Sequence, residues 1–156
     1  DVALAAGADG VHVGPDDLPV KDVRRVADAR AVTGTRAVDV DARAGVADTF
    51  IVGYSTDTTD EAARAEAEGA DYLGVGAVYA TANKSDAGDV IGLEGLRRVV
   101  KAVSIPVVAI GGITPERAPA VAKAGACGSA AIGAVMSAAE PAEAVRELLL
   151  PFGGTP

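Results

Sequence analysis

Paired glycines at strand ends, adjacent carboxylates, and a lysine set among hydroxyls and amides are the residues of this chain best suited to chemistry. Gly111-Gly112 close the apolar, largely β-branched run Ile105-Pro-Val-Val-Ala-Ile110 and lead into Ile113-Thr-Pro-Glu116. That pattern predicts a buried parallel strand, a turn whose backbone can approach a ligand, and a helix start. Further on, Gly125-Ala-Cys-Gly128 leads into a second such strand, Ser129-Ala-Ala-Ile-Gly133. Two neighbouring strands that end in glycine and feed helix N-termini make an anion site, because backbone N–H groups and the helix dipole both favour negative charge.

Other groups fall at predicted strand ends, each with two readings. Asp16-Asp17 follow the first strand and could give Mg²⁺ a carboxylate oxygen or, the favoured reading of this segment alone, cap a helix. Lys84, among Thr81, Asn83 and Ser85, is a cation with hydroxyl and amide donors suited to phosphate or diphosphate, or part of a solvated loop. Ser55 could bind phosphate or mark a helix start. His12, inside Val-His-Val, is a proton carrier or, the favoured reading, a hydrogen-bonded core residue. Cys127 has neither metal-ligand spacing nor a neighbouring His and reads as a small buried apolar residue.

The elements that must position these groups repeat. Gly7-Ala-Asp-Gly-Val-His-Val-Gly14 resembles Gly69-Ala-Asp-Tyr-Leu-Gly-Val-Gly76, and Gly125-Ala-Cys-Gly-Ser-Ala-Ala-Ile132 echoes both. Each is a helix C-cap glycine, a turn and a buried strand, which predicts α/β units on a parallel sheet. Strands are expected at 10–13, 50–54, 72–78, 107–110 and 129–132. Helices are expected at 20–29, 59–68, 93–103, 115–124 and 141–150, with a short turn at 133–137. Residues 31–49 read as a surface excursion, with a strand at 35–40 as the alternative, since such connections usually run about 2–6 residues. In (β/α)₈ barrels the phosphate site is built from the loops after strands 7 and 8. The expected architecture is therefore a (β/α)₈ TIM barrel of which about five βα units lie in this chain, residues 1–156 forming one partial-barrel domain.

Composition narrows the function. With 49% hydrophobic but only 3% aromatic residues, the core must be built from Ala, Val, Ile and Leu, as parallel α/β folds allow. A formal net charge of −8 argues against nonspecific nucleic-acid or anionic-membrane binding. An anionic substrate then needs a few placed cations, N–H groups or a metal. The single Cys and the lack of any apolar run near the roughly 18 residues of a membrane span fit a cytoplasmic setting.

Taken together, the segments Gly7–Gly14 with Asp16-Asp17-Leu-Pro19, Gly69–Gly76, Tyr79-Ala-Thr-Ala-Asn-Lys84, Gly92-Leu-Glu-Gly-Leu96 and Val107-Val-Ala-Ile-Gly-Gly-Ile-Thr114 resemble the thiamine phosphate synthase family, in its order and over nearly the whole chain. The resemblance implies a Mg²⁺-dependent transferase of thiamine biosynthesis. It joins hydroxymethylpyrimidine diphosphate to thiazole phosphate, and its work is to stabilise departing pyrophosphate and hold the thiazole in line. It implies Asp17 as a Mg²⁺ ligand, and Ser55 and Lys84 as catalytic contacts to the diphosphate. It further implies Thr81 as a thiazole-side contact, Asn83 as a substrate-binding residue, and Gly112 with Ile132-Gly133 as the thiazole phosphate cradle.

The chain departs from the family pattern at Pro15 (usually Gln), Asn83 (usually Thr) and Gly133 (usually Ser). The family's other basic diphosphate contacts and its Asn-Asp-Asp metal segment lie upstream of the matched region. The same half-barrel resembles thiazole tautomerases, and a further alternative is an inactive fragment that binds a phosphorylated ligand or a partner. Open sheet edges predict self-association of the 156 residues alone.

Overall fold

The computed structural model describes residues 2–33, 50–81 and 89–154. Five strands, β1 (Gly10–Val13), β2 (Ile51–Thr56), β3 (Tyr72–Val75), β4 (Val107–Ile110) and β5 (Gly128–Ala130), form one parallel sheet in the order β1-β2-β3-β4-β5. Doubly wound sheets reverse their strand order at a switch point. This sheet never does, so it is an arc of a (β/α) barrel. After a short α1 (Val2–Ala5), the helices are α2 (Val20–Thr33), α3 (Thr59–Ala67), α4 (Gly92–Ala102), α5 (Ala118–Lys123), α6 (Gly133–Met136) and α7 (Pro141–Leu149), the last followed by a 3₁₀ turn, Leu150–Phe152.

Alternation along the strands divides the sheet into two faces. Val52, Tyr54, Leu73, Val75, Val107 and Ala109 are buried in one apolar cluster with helix residues Leu96, Val99 and Val121. The opposite, concave face carries His12, Gly53, Ser55, Tyr72, Gly74 and Ile110. It is open: Ile51 and Ile110 are 45% and 41% exposed there. Along the outer side of β5 runs an apolar groove of ≈ 690 Å³ lined in part by Val108, Ser129, Val145, Leu148 and Phe152.

Several expected boundaries moved. The β3 strand was expected to reach residue 78 but ends at Val75. A Cβ at Gly76 would lie 2.0 Å from the Ile110 carbonyl oxygen, so the backbones close up there. Pairing resumes when the N–H groups of Val78 and Tyr79 donate to Ile110 and Gly111. Helix α5 begins at Ala118 rather than 115, because Pro119 has no N–H and is tolerated only in a first turn. Cys127 is exposed, not buried. Its N–H donates to the Val107 carbonyl, but among the described residues no strand lies beyond β5 to cover it. Helix α2 runs a turn longer than expected, and the rest of the 31–49 excursion, with its alternative strand, lies outside the described residues.

At the N-terminal end of the sheet Arg24, on α2, binds three partners. Its guanidinium donates to the Phe50 carbonyl at 2.7 Å, the Gly69 carbonyl at 2.6 and 3.1 Å, and Asp71 Oδ2 at 2.5 Å. Asp71 Oδ2 also accepts the Val52 N–H at 2.7 Å. The cluster ties a helix to two strand starts, far from the end that carries function in barrels. Arg24→Ala leaves those acceptors without their cation and should lower stability by about 2–3 kcal/mol, read as a lower midpoint in urea. An unchanged midpoint would show the cluster to be ornamental to folding.

Candidate functional site

Among the described residues, Asp17, Ser55, Thr81, Gly112 and Ile132-Gly133 lie at or just beyond the C-terminal ends of the five strands. After β1, the Gly14 N–H donates to Asp17 Oδ2 at 2.7 Å and the Asp17 N–H donates to the Gly14 carbonyl. Asp17 therefore closes its own loop and is not the cap of α2, which starts at Val20. Its carboxylate lies close enough to His12 to favour the protonated imidazole.

The Ser55-Thr56 pair separates two jobs by strand alternation. Thr56 turns to the helix side, is buried, and donates to Glu61, while Thr58 caps α3 by accepting the Glu61 N–H. Ser55 is thereby freed of the capping role and faces the concave side. There it meets His12, whose Nε2 lies 2.8 Å from Ser55 Oγ while Nδ1 lies 2.9 Å from the Tyr72 hydroxyl.

Glycines make room for this cluster. His12 and Tyr72 flank Gly53 in the strand register, and Ser55 lies beside Gly74. A Cβ on Gly53 would sit 2.2 Å from Tyr72 Cζ and 2.5 Å from His12 Nδ1; one on Gly74 would sit 3.1 Å from His12 Cε1. The favoured reading of His12 as a hydrogen-bonded core residue holds for its hydrogen bonds but not for its burial: among the described residues the side chain is exposed on the concave face. Its packed side still pushes the imidazole pKa below the ordinary 6.5, first through burial, with the Asp17 charge acting in opposition.

The glycine turn after β4 has the conformation its sequence predicts. Gly111 and Gly112 have φ of 96° and 60°. A Cβ on Gly112 would meet the Ala80 carbonyl oxygen at 2.5 Å, so the turn packs directly on the β3–α4 loop that leads to Thr81. Arg117 fastens the two loops: its Nη1 donates to the Gly112 carbonyl at 2.6 Å and its guanidinium lies 4.6 Å from the Tyr79 ring centroid. A cation at the start of a helix opposes the macrodipole, and that oddity was the sequence signal by which Arg117 could have been found. Beyond the neighbouring strand β5, Ile132 occupies the N-cap position of the short α6 and Gly133 is its first residue, both at the same rim. Asn83 and Lys84 lie outside the described residues.

Gly112→Ala should lower folding stability by about 1–2 kcal/mol, because left-handed backbone costs a non-glycine residue that much and the new methyl would push on the Ala80 carbonyl. Urea unfolding checks this, and an unchanged midpoint would show that the turn accepts a Cβ.

Among the described residues no three His, Cys, Asp or Glu side chains gather as a metal cluster. Among the same residues no helix is long and apolar enough to cross a membrane.

Comparison with known proteins gives a consistent kinship. A family model described as thiamine monophosphate synthase matches residues 32–135. Thiamine-phosphate synthase of Moorella thermoacetica is 47% identical over 148 residues, covering 95% of this chain and 61% of the relative. That of Methanocella arvoryzae is 48% identical over the same shares. Thiamine phosphate pyrophosphorylase from Pyrococcus furiosus superposes with a TM-score of 0.77 at 43% identity, covering 97% of this chain and 63% of that one. A 3-hexulose-6-phosphate synthase superposes with a TM-score of 0.67 at 26% identity. The chain thus spans about three-fifths of the length of the curated relatives it matches. Match extent, identity and strand order agree: the chain belongs to the thiamine monophosphate synthase family.

Proposed function

We propose that the protein takes part in thiamine biosynthesis by joining hydroxymethylpyrimidine diphosphate to thiazole phosphate, with release of pyrophosphate. One observation carries this reading: the family match over 32–135 contains every residue assigned to substrate, namely Ser55, Thr81, Asn83, Lys84, Gly112, Ile132 and Gly133. In the reaction the bond between the pyrimidine's methylene carbon and the diphosphate oxygen breaks, and the thiazole nitrogen forms a bond to that carbon. Lys84 and Ser55 bind the departing diphosphate, Thr81 and Asn83 border the substrates, and the backbone at Gly112 and Ile132-Gly133 holds the thiazole phosphate. Binding both substrates in line converts the capture into a step within one complex.

Asp17 fits a Mg²⁺ ion shared with the diphosphate. It offers one hard carboxylate at a strand end, and Mg²⁺ commonly takes one or two carboxylates with the rest of its shell from phosphate and water. When bound, the ion neutralises charge developing on the leaving diphosphate.

The test is pyrophosphate release from the diphosphate substrate, with thiazole phosphate and Mg²⁺, by a full-length protein carrying these residues. Release is expected. Isomerisation of the thiazole phosphate with no pyrophosphate released would replace this reading with that of a tautomerase.

The 156 residues purified alone should self-associate and form no product. The outer edges of β1 and β5 have no strand partner among the described residues, and unpaired edges recruit other strands. Light scattering that reports a cooperatively melting, active monomer would refute this.

A further inference from the structure

We propose that His12 and Tyr72 are positioning residues for Ser55: together they hold its hydroxyl as a donor to an anionic ligand oxygen. The proposal rests on Ser55 being a diphosphate contact and says how it becomes one. The geometry is a continuous chain across three strands, Tyr72 hydroxyl to His12 Nδ1 at 2.9 Å and His12 Nε2 to Ser55 Oγ at 2.8 Å.

A neutral imidazole has one N–H and one bare nitrogen, so two arrangements satisfy both bonds. In the first, Tyr72 donates to Nδ1, Nε2–H donates to Ser55 Oγ, and the Ser55 proton is left for a ligand. In the second, Nδ1–H donates to Tyr72 and Ser55 gives its only proton to Nε2. The hydroxyl then offers an anion nothing but lone pairs. The second arrangement is also the one in which a histidine base activates a serine nucleophile. A serine that binds diphosphate therefore requires the Nε2–H tautomer, and Tyr72 selects it by donating to Nδ1. Hydrogen bonds aligned in one direction polarise one another, which strengthens the last donor.

The surroundings keep the chain in place. Gly53 and Gly74 form a floor under the two rings that any Cβ would fill. The rings contact each other with centroids 5.4 Å apart. Among the described residues two titratable groups bear on the imidazole, Tyr72 on β3 and Asp17 in the β1–α2 loop, and burial disfavours its protonated form. Above neutral pH the imidazole is therefore uncharged and its tautomer is a defined quantity.

The chain contains one histidine, so its tautomer can be read directly from a long-range ¹⁵N–¹H correlation spectrum of the labelled protein at about pH 7.5. The expected result is a protonated Nε2 and a bare Nδ1, unchanged in Ser55→Ala. In Tyr72→Phe, which keeps the ring and removes only the hydroxyl, the Nε2–H preference should be lost to a mixture. A purely structural pair would leave the tautomer unmoved. An Nδ1–H tautomer in the unsubstituted protein, or the same spectrum in Tyr72→Phe, would overturn the proposal. An Nε2–H tautomer in a protein that releases no pyrophosphate would leave it standing and refute the transfer reading alone.

Discussion

Ser55→Ala in a full-length protein carrying these residues should lower turnover about 10²–10³-fold, the usual effect of removing one placed donor to a developing negative charge. The methylene remains, so packing is nearly unchanged, and among the described residues the lost hydroxyl's partner is His12, on the open concave face. Folding stability should therefore shift by less than about 1 kcal/mol. Charge builds on the diphosphate as its bond to carbon breaks, so the effect belongs in kcat more than in KM. Steady-state kinetics beside urea unfolding separates the two. A fall in turnover matched by a fall in stability would mean that Ser55 only props up the sheet.

Lys84→Ala should have an effect of the same order, about 10²–10³-fold in turnover, and for a different reason. The chain is acidic overall, with a net charge of −8, so a triply charged leaving group is repelled by most of the protein and depends on a few local cations. An ammonium is a compact, strongly hydrated point charge whose attraction grows as the leaving oxygen becomes anionic. Lys84→Arg keeps the charge but changes its shape, and should recover part of the loss. Wild-type turnover in Lys84→Ala would make its loop solvated surface.

How much of this was legible in the sequence depends on the range of the interactions. The strands and the glycine turn were legible because local pattern decides them: an apolar β-branched run ended by Gly111-Gly112 has few alternatives, and both glycines do have positive φ. The end of β3 was misplaced because the apolar pattern runs on through Val78, while the break comes from the Ile110 carbonyl across the sheet at Gly76. The His12–Ser55 and His12–Tyr72 pairs join residues 43 and 60 positions apart. Only the register of three strands brings them together, so His12 read as a core residue when seen in its own strand. Cys127 misled in the opposite sense: residue type favours burial, but it stands just before β5, the outermost strand among the described residues, and is exposed there. Asp17 was legible as a strand-end carboxylate, but its bond to the Gly14 N–H was not, because a loop's closure depends on backbone angles that composition does not specify.

The most direct test of the central claim is product identification by mass spectrometry. A full-length protein bearing these residues is incubated with hydroxymethylpyrimidine diphosphate, thiazole phosphate and Mg²⁺, and the mixture is followed over time. The account predicts thiamine phosphate and pyrophosphate accumulating in equal amounts. Both substrates recovered intact from a folded protein that binds them would contradict it.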